Sequence, residues 1–147
     1  MVKTYKELIA WQKGMDLVKK VYAVTGIFPR TEQYRLVDQL TRAVVSVPSN
    51  IAEGFGRSTN KDFSHFLSQA RGSLFEVETQ LLISKDLGYV EDVSELIADI
   101  AELGKILNGL IRKLNSNVTN PYPLTTKHHR CSTSTLDFDS YPLIPNP

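Results

Sequence analysis

The chain has 147 residues, 41% of them hydrophobic, and a formal net charge of +1, which suits one domain with a core of its own. That balance gives no strong overall field towards nucleic acid or a membrane, and the single cysteine, Cys131, excludes an internal disulfide. Residues 1–11 carry lysines without a continuous apolar stretch, and no run reaches the about 18 apolar residues of a membrane span, so neither signal peptide nor anchor is expected and the reading is cytoplasmic.

Along the first segment Leu8, Trp11, Met15, Val18 and Tyr22 recur at steps of three or four, the stripe of an amphipathic helix. Gly26 ends it, and Phe28-Pro29 forbids its continuation. A second helix is predicted from Glu32, on the stripe Leu36, Leu40, Ala43, Val44, Val47 and Ile51, ending near Gly54 to Gly56. Pro48 falls inside this pattern. It has no N–H for the Val44 carbonyl and its ring crowds that group, so a kink is expected, with Ser46 and Asn50 bonding backbone groups near Val44.

The third helix opens on Thr59-Asn60-Lys61-Asp62, a capping box with Thr59 as N-cap and Asp62 reaching back. Its stripe is Phe63, Phe66, Leu67, Ala70, Leu74, Val77 and Leu81, and Gly88 suits the position just past its end. At roughly 28 residues, about 42 Å, it is long for a chain of this size, which suggests a subunit interface. The fourth helix opens at Asp92, with Glu95 three residues on. It carries Val93, Leu96, Ile97, Ile100, Leu103, Leu107, Leu110, Ile111 and Leu114. Gly104 and Gly109 inside it cost about 1 kcal/mol each against alanine, which points to close approach of another backbone.

No segment alternates with period two, so no sheet is expected. Four helices with short loops give an all-α, antiparallel up-and-down four-helix bundle over residues 1–115, its helices crossing at about 20°. From Asn115 to Pro147 the chain holds five of its seven prolines and 13 Ser, Thr or Asn residues. Such a composition cannot bury enough surface to offset its entropy, so residues 116–147 read as a disordered C-terminal tail. Tyr122, Phe138 and Tyr141 are its candidate docking spots.

Charge is uneven along the chain. Residues 1–71 hold 11 Lys or Arg and 6 Asp or Glu, whereas residues 72–114 hold 4 and 8. A basic half of this kind suits phosphate groups, or a complementary surface on another protomer. Arg42, Arg57, Lys61 and Arg71 are the candidate nucleic-acid contacts, with Arg35 and Lys13 behind them.

Catalytic constellations are missing from the sequence. No glutamate has histidine three residues later, as the di-iron bundles require. Arg57 and His65 are too far apart, across a loop, for the Arg–His pair of RNA-cleaving helical bundles. His128-His129-Arg130-Cys131 offers three soft donors in the tail, a poor metal site, and Asn117-Val118-Thr119 is a glycosylation sequon without meaning in an unsecreted chain. No enzymatic activity, cofactor or metal is therefore expected.

Gln39-Leu40-Thr41-Arg42-Ala43 with Ser46-Val47-Pro48-Ser49-Asn50-Ile51-Ala52-Glu53-Gly54 breaks helix propensity inside a good apolar pattern, a mark of a special packing or functional demand. Here the chain resembles the 23S rRNA intervening-sequence proteins, the "four helix bundle protein" family of bacteria. The resemblance extends to Leu8, Trp11-Gln12-Lys13, Met15 and Leu17-Val18, to Phe28-Pro29 with Glu32, Tyr34 and Leu36, and to Ala70-Arg71-Gly72-Ser73-Leu74 with Glu76 and Glu78-Thr79-Gln80-Leu81. It covers residues 5–114 and not the tail. Arg35 stands where the family usually has glycine, and Gly14 where alanine is usual. The resemblance implies a homo-pentamer of four-helix protomers. By a more distant likeness to the accessory variability proteins of retroelements, it also implies a factor that contacts RNA or DNA and a polymerase partner such as a reverse transcriptase. A scaffold that recruits such a partner without touching nucleic acid is the alternative.

Overall fold

The computed structural model describes residues 2–116, which carry four long helices and no strand. These are α1 (Ile9–Thr25), α2 (Leu36–Phe55), α3 (Asn60–Asp86) and α4 (Ser94–Ser116), with 3₁₀ turns at Tyr5–Glu7 and Arg30–Glu32. The expectations placed on Tyr122, Phe138, Tyr141, the sequon and His128 to Cys131 lie outside the described residues.

Each helix packs on two neighbours, and chain numbers run in opposite senses across every seam. Lys13 meets Glu102 and Lys20 meets Glu95 between α1 and α4. Gly14 lies against Pro48, while Tyr22 and Thr25 share a groove with Val37 and Asp38. Gly54 faces Phe63 and Phe66, and the Ser46 and Ser73 hydroxyls are hydrogen-bonded to each other between α2 and α3. Arg71 reaches Asn108, and Leu74 faces Gly104, between α3 and α4. All four helices feed one core. Leu17 and Val21, then Leu40, Val44, Val47 and Ile51, then Leu67, Leu74 and Leu81, and finally Ile100, Leu103 and Leu107 are sealed from solvent. Each such side chain stabilises the fold by about 1.5–3 kcal/mol relative to exposure.

The stripes of α2, α3 and α4 face this core as their spacing requires, with Phe63 and Phe66 at its edge. On α1 the stripe is displaced. The buried face is Ala10, Gly14, Leu17, Val21 and Thr25, whereas Trp11, Met15 and Val18 are only partly covered and Tyr22 is exposed. Small residues, Ala10 and Gly14, make part of this face. A Cβ at Gly14 would stand 3.4 Å from the Pro48 Cβ, ordinary contact, so the seam between α1 and α2 has room for a methyl there and little more.

The helix ends follow local chemistry. The Thr59 hydroxyl accepts the Asp62 N–H at 3.0 Å, and its own proton goes to the Asp62 carboxylate at 2.6 Å. The reciprocal half of the expected box is therefore made with the hydroxyl rather than with a backbone N–H. Beyond Asp86, the Gly88 N–H donates to Lys85 and the Tyr89 N–H to Ser84, both at 2.9 Å. This is a Schellman turn, and it needs Gly88 at φ 74°. Two starts differ from expectation. Residues Arg30–Glu32 form a separate turn, so α2 begins at Leu36 rather than at Glu32. The fourth helix begins at Ser94, where Asp92 accepts both the Ser94 N–H and its hydroxyl at 2.9 Å. These hydrogen bonds, the backbone one foremost, hold the Asp92 carboxyl below its ordinary value. At its other end α4 continues through Ser116, a residue assigned to the tail on composition.

Pro48 sits within a helix that runs unbroken from Leu36 to Phe55. The side chains around it bond other carbonyls than Val44's. Ser46 donates to Ala43 at 2.9 Å, Ser49 to Val45 at 2.8 Å and Asn50 to Ser46 at 2.8 Å. The expected role of Gly104 and Gly109 does not hold. A Cβ at Gly104 would meet only the Leu74 side chain at 3.8 Å, and one at Gly109 nothing within 4 Å. The close approach is instead at Gly54, where a Cβ would stand 2.7 Å from the Phe66 Cβ.

Candidate nucleic-acid interface

Folding regroups the charges that the sequence separates into halves. Along the α1–α4 seam the Lys13 ammonium meets Glu102 at 2.9 Å, and Lys20 meets Glu95 at 2.7 Å and Asp99 at 2.6 Å. Hydrogen bonds to Asp99 and then Glu95 raise the Lys20 pKa above the usual lysine range. Lys13 and Lys20 of α1 are thus neutralised by the carboxylates in the first half of α4, and Lys13, a candidate contact, has a carboxylate partner.

The antiparallel arrangement gathers what remains by end of the bundle. Divided at the level where Ser46 meets Ser73, the structure has two unlike poles. One is made by the starts of α1 and α3 and the finishes of α2 and α4. It carries Lys3, Lys6, Arg57, Lys61, Arg71, Lys105, Arg112 and Lys113 against Glu7, Glu53 and Asp62, a net charge of +5. The other carries ten carboxylates against Lys19, Lys20, Arg30, Arg35, Arg42 and Lys85, a net −4. The pair Lys13–Glu102 stands near the dividing level and cancels.

The candidate residues divide accordingly. Arg57, Lys61 and Arg71 belong to the basic end, whereas Arg35 and Arg42 lie towards the acidic end. On the 1.5 Å rise, Arg42 stands about 22 Å along the axis from Arg57. Arg42 is paired through its Nε with Asp38 at 3.0 Å. Arg57 pairs with Glu53, one turn back, and its guanidinium lies 4.6 Å from the centroid of the Phe66 ring. Lys61 and Arg35 have no ion pair among the described residues. Of the signature residues, Pro48 and Gly54 are buried in the α1–α2 and α2–α3 seams, Ser46 ties α2 to Ser73 of α3, Asn50 bonds its own helix, and Glu53 orients Arg57. His65 is exposed and hydrogen-bonds Gln69 at 3.0 Å.

Lys105 and Arg112 were passed over because they sit in a stretch that is acidic in sum. A signal for them was nonetheless present. Arg71 and Lys105 each stand 17 residues from Gly88. Two antiparallel helices leaving one tight turn bring equidistant residues side by side.

The described residues thus form a four-helix bundle with a sealed core, paired charges along the α1–α4 seam and an excess of cations at one end. The chain belongs to the family described as 23S rRNA-intervening sequence protein, whose match runs over residues 6–109 and so takes in all of α1, α2 and α3 and most of α4. No curated protein matches the chain. Among the described residues no helix is long and apolar enough to cross a membrane.

Proposed function

We propose that this protein is a non-enzymatic, cytoplasmic RNA- or DNA-binding accessory factor whose basic end takes up the phosphate backbone. The observation that carries the reading is the gathering of eight lysines and arginines against three carboxylates at that end. Family membership supports it only as far as the intervening-sequence genes for which the family is named. In this reading the protein works as a homo-oligomer, a pentamer by resemblance, which sets several basic ends side by side and multiplies their field. Exposed Phe75, Leu82 and Ile83 on α3 are consistent with a further protein surface on that helix.

Fluorescence anisotropy of labelled structured RNA and of duplex DNA, titrated at several salt concentrations, tests the reading. Each neutralised phosphate contributes about −0.9 to the slope of log K against log salt for duplex DNA and about −0.7 for single strands. Engagement of four or so phosphates gives a slope of about −3. Absence of binding at low salt overturns the reading in favour of a scaffold that recruits a protein partner such as a polymerase.

A further inference from the structure

Arg71 leaves α3 half-buried and crosses to α4, where its Nη1 donates to the Asn108 Oδ1 at 2.7 Å. Beside this contact lies an open cleft of about 460 Å³ lined by Arg71, Lys105, Asn108, Ile111 and Arg112. Lys105, Asn108 and Arg112 follow one another at steps of three and four, so they share one face of α4. Three cations converge on this space and no carboxylate lines it. None of the three has an ion pair among the described residues. The contrast with the neighbouring seam is sharp, because Lys13 and Lys20, which face α4 from α1, both have carboxylate partners.

Like charges brought together repel unless an anion lies between them. A further feature favours a phosphate as that anion. Asn108 fixes the guanidinium of Arg71 by one of its five donors, leaving a pre-oriented fork for two phosphoryl oxygens. Ile111 gives the open cleft one apolar wall beside these donors. We infer that this cleft is the phosphodiester-binding subsite of the basic end, with one backbone phosphate held between Arg71 and Arg112 and Lys105 beside it. The inference rests on the nucleic-acid reading and adds a place and a residue set to it.

The test compares full-chain variants binding a labelled single-stranded RNA by anisotropy. One carries Arg71→Gln, Lys105→Gln and Arg112→Gln; the other loses the same charge from the same end by Lys3→Gln, Lys6→Gln and Lys61→Gln. The cleft variant is expected to bind on the order of 100-fold more weakly, the other less than about 10-fold. Asn108→Ala keeps every charge. It should weaken binding several-fold with an unchanged salt slope, the mark of a positioning residue. Equal losses in the two triple variants, or none in the cleft variant, overturn the subsite while leaving the broader reading standing. Failure of the wild-type chain to bind any RNA overturns the broader reading itself. A titration with inorganic phosphate, followed by ¹⁵N NMR at the Arg71 side chain, separates the sources. Phosphate that shifts Arg71 and weakens RNA binding at constant ionic strength supports a subsite shared with the RNA backbone. Phosphate that shifts Arg71 while RNA stays fully bound marks a free-phosphate site and overturns the assignment.

Discussion

Replacing Leu74 by alanine is expected to destabilise the protein by about 3–5 kcal/mol. Leu74 is sealed in the middle of α3, and its Cδ2 lies 3.8 Å from the point where a Cβ on Gly104 would be. Truncation removes the transfer energy of the side chain and leaves a void beside a stretch of α4 that has no side chain to fill it. The void term is therefore large. Chemical denaturation should show a lower midpoint at unchanged slope. Gly104→Ala alone should stabilise slightly, by up to about 1 kcal/mol from helix propensity. In the Leu74→Ala background it should recover more than that, because its methyl enters the void, and the excess is a coupling energy above about 0.5 kcal/mol. A loss below about 1.5 kcal/mol for Leu74→Ala would contradict this packing.

Gly54→Ala should be costly in the opposite way. The added methyl would stand 2.7 Å from the Phe66 Cβ and 2.9 Å from the Phe63 Cδ2. A Cβ cannot swing away, so α2 and α3 must separate. Overpacking of this kind costs about 1–3 kcal/mol net, against a helix-propensity gain of about 1 kcal/mol, and Gly54→Val should exceed it. Gly72→Ala is the control. It lies in mid-α3 with nothing within 4 Å of its would-be Cβ, and should stabilise by about 0.5–1 kcal/mol. Thermal melts of the two variants should therefore move in opposite directions. Since Phe66 also carries the Arg57 guanidinium, Gly54→Ala should displace a cation of the basic end along with the core.

Legibility in the sequence follows physical causes. The stripes on α2 and α4 are strong because large aliphatic side chains mark nearly every core position, and such a pattern admits one face. On α1 the large side chains, Trp11 and Met15 among them, line a shallow groove against Val45, Pro48, Ser49 and Ala52, while the core face is built partly of Ala10 and Gly14. A hydrophobic count gives small residues little weight, yet close helix contact requires them. The glycines show the same lesson. Gly54, Gly104 and Gly109 look alike in sequence, and only the first stands where a neighbour leaves no room.

The candidate interface was legible in part. Glu53 and Arg57 are one helical turn apart, so their pairing follows from spacing alone. Charge summed along the chain grouped Arg35 and Arg42 with Arg57 and Lys61, although the fold sends them to opposite ends. It also concealed Lys105 and Arg112 among acids that lie elsewhere in space. A four-helix bundle reverses direction at each loop, so proximity depends on distance from the loop rather than on distance along the sequence.

The most direct test of a basic binding end is a comparison of two variants with equal loss of charge. One carries Arg57→Gln, Lys61→Gln and Lys113→Gln at the basic end; the other carries Arg30→Gln, Arg35→Gln and Arg42→Gln at the acidic end. RNA affinity measured at one low salt concentration should fall by about tenfold in the first and stay within about twofold of the wild type in the second. An equal fall in both would mean that net charge, not the arrangement the fold imposes on it, governs binding, and would contradict the account.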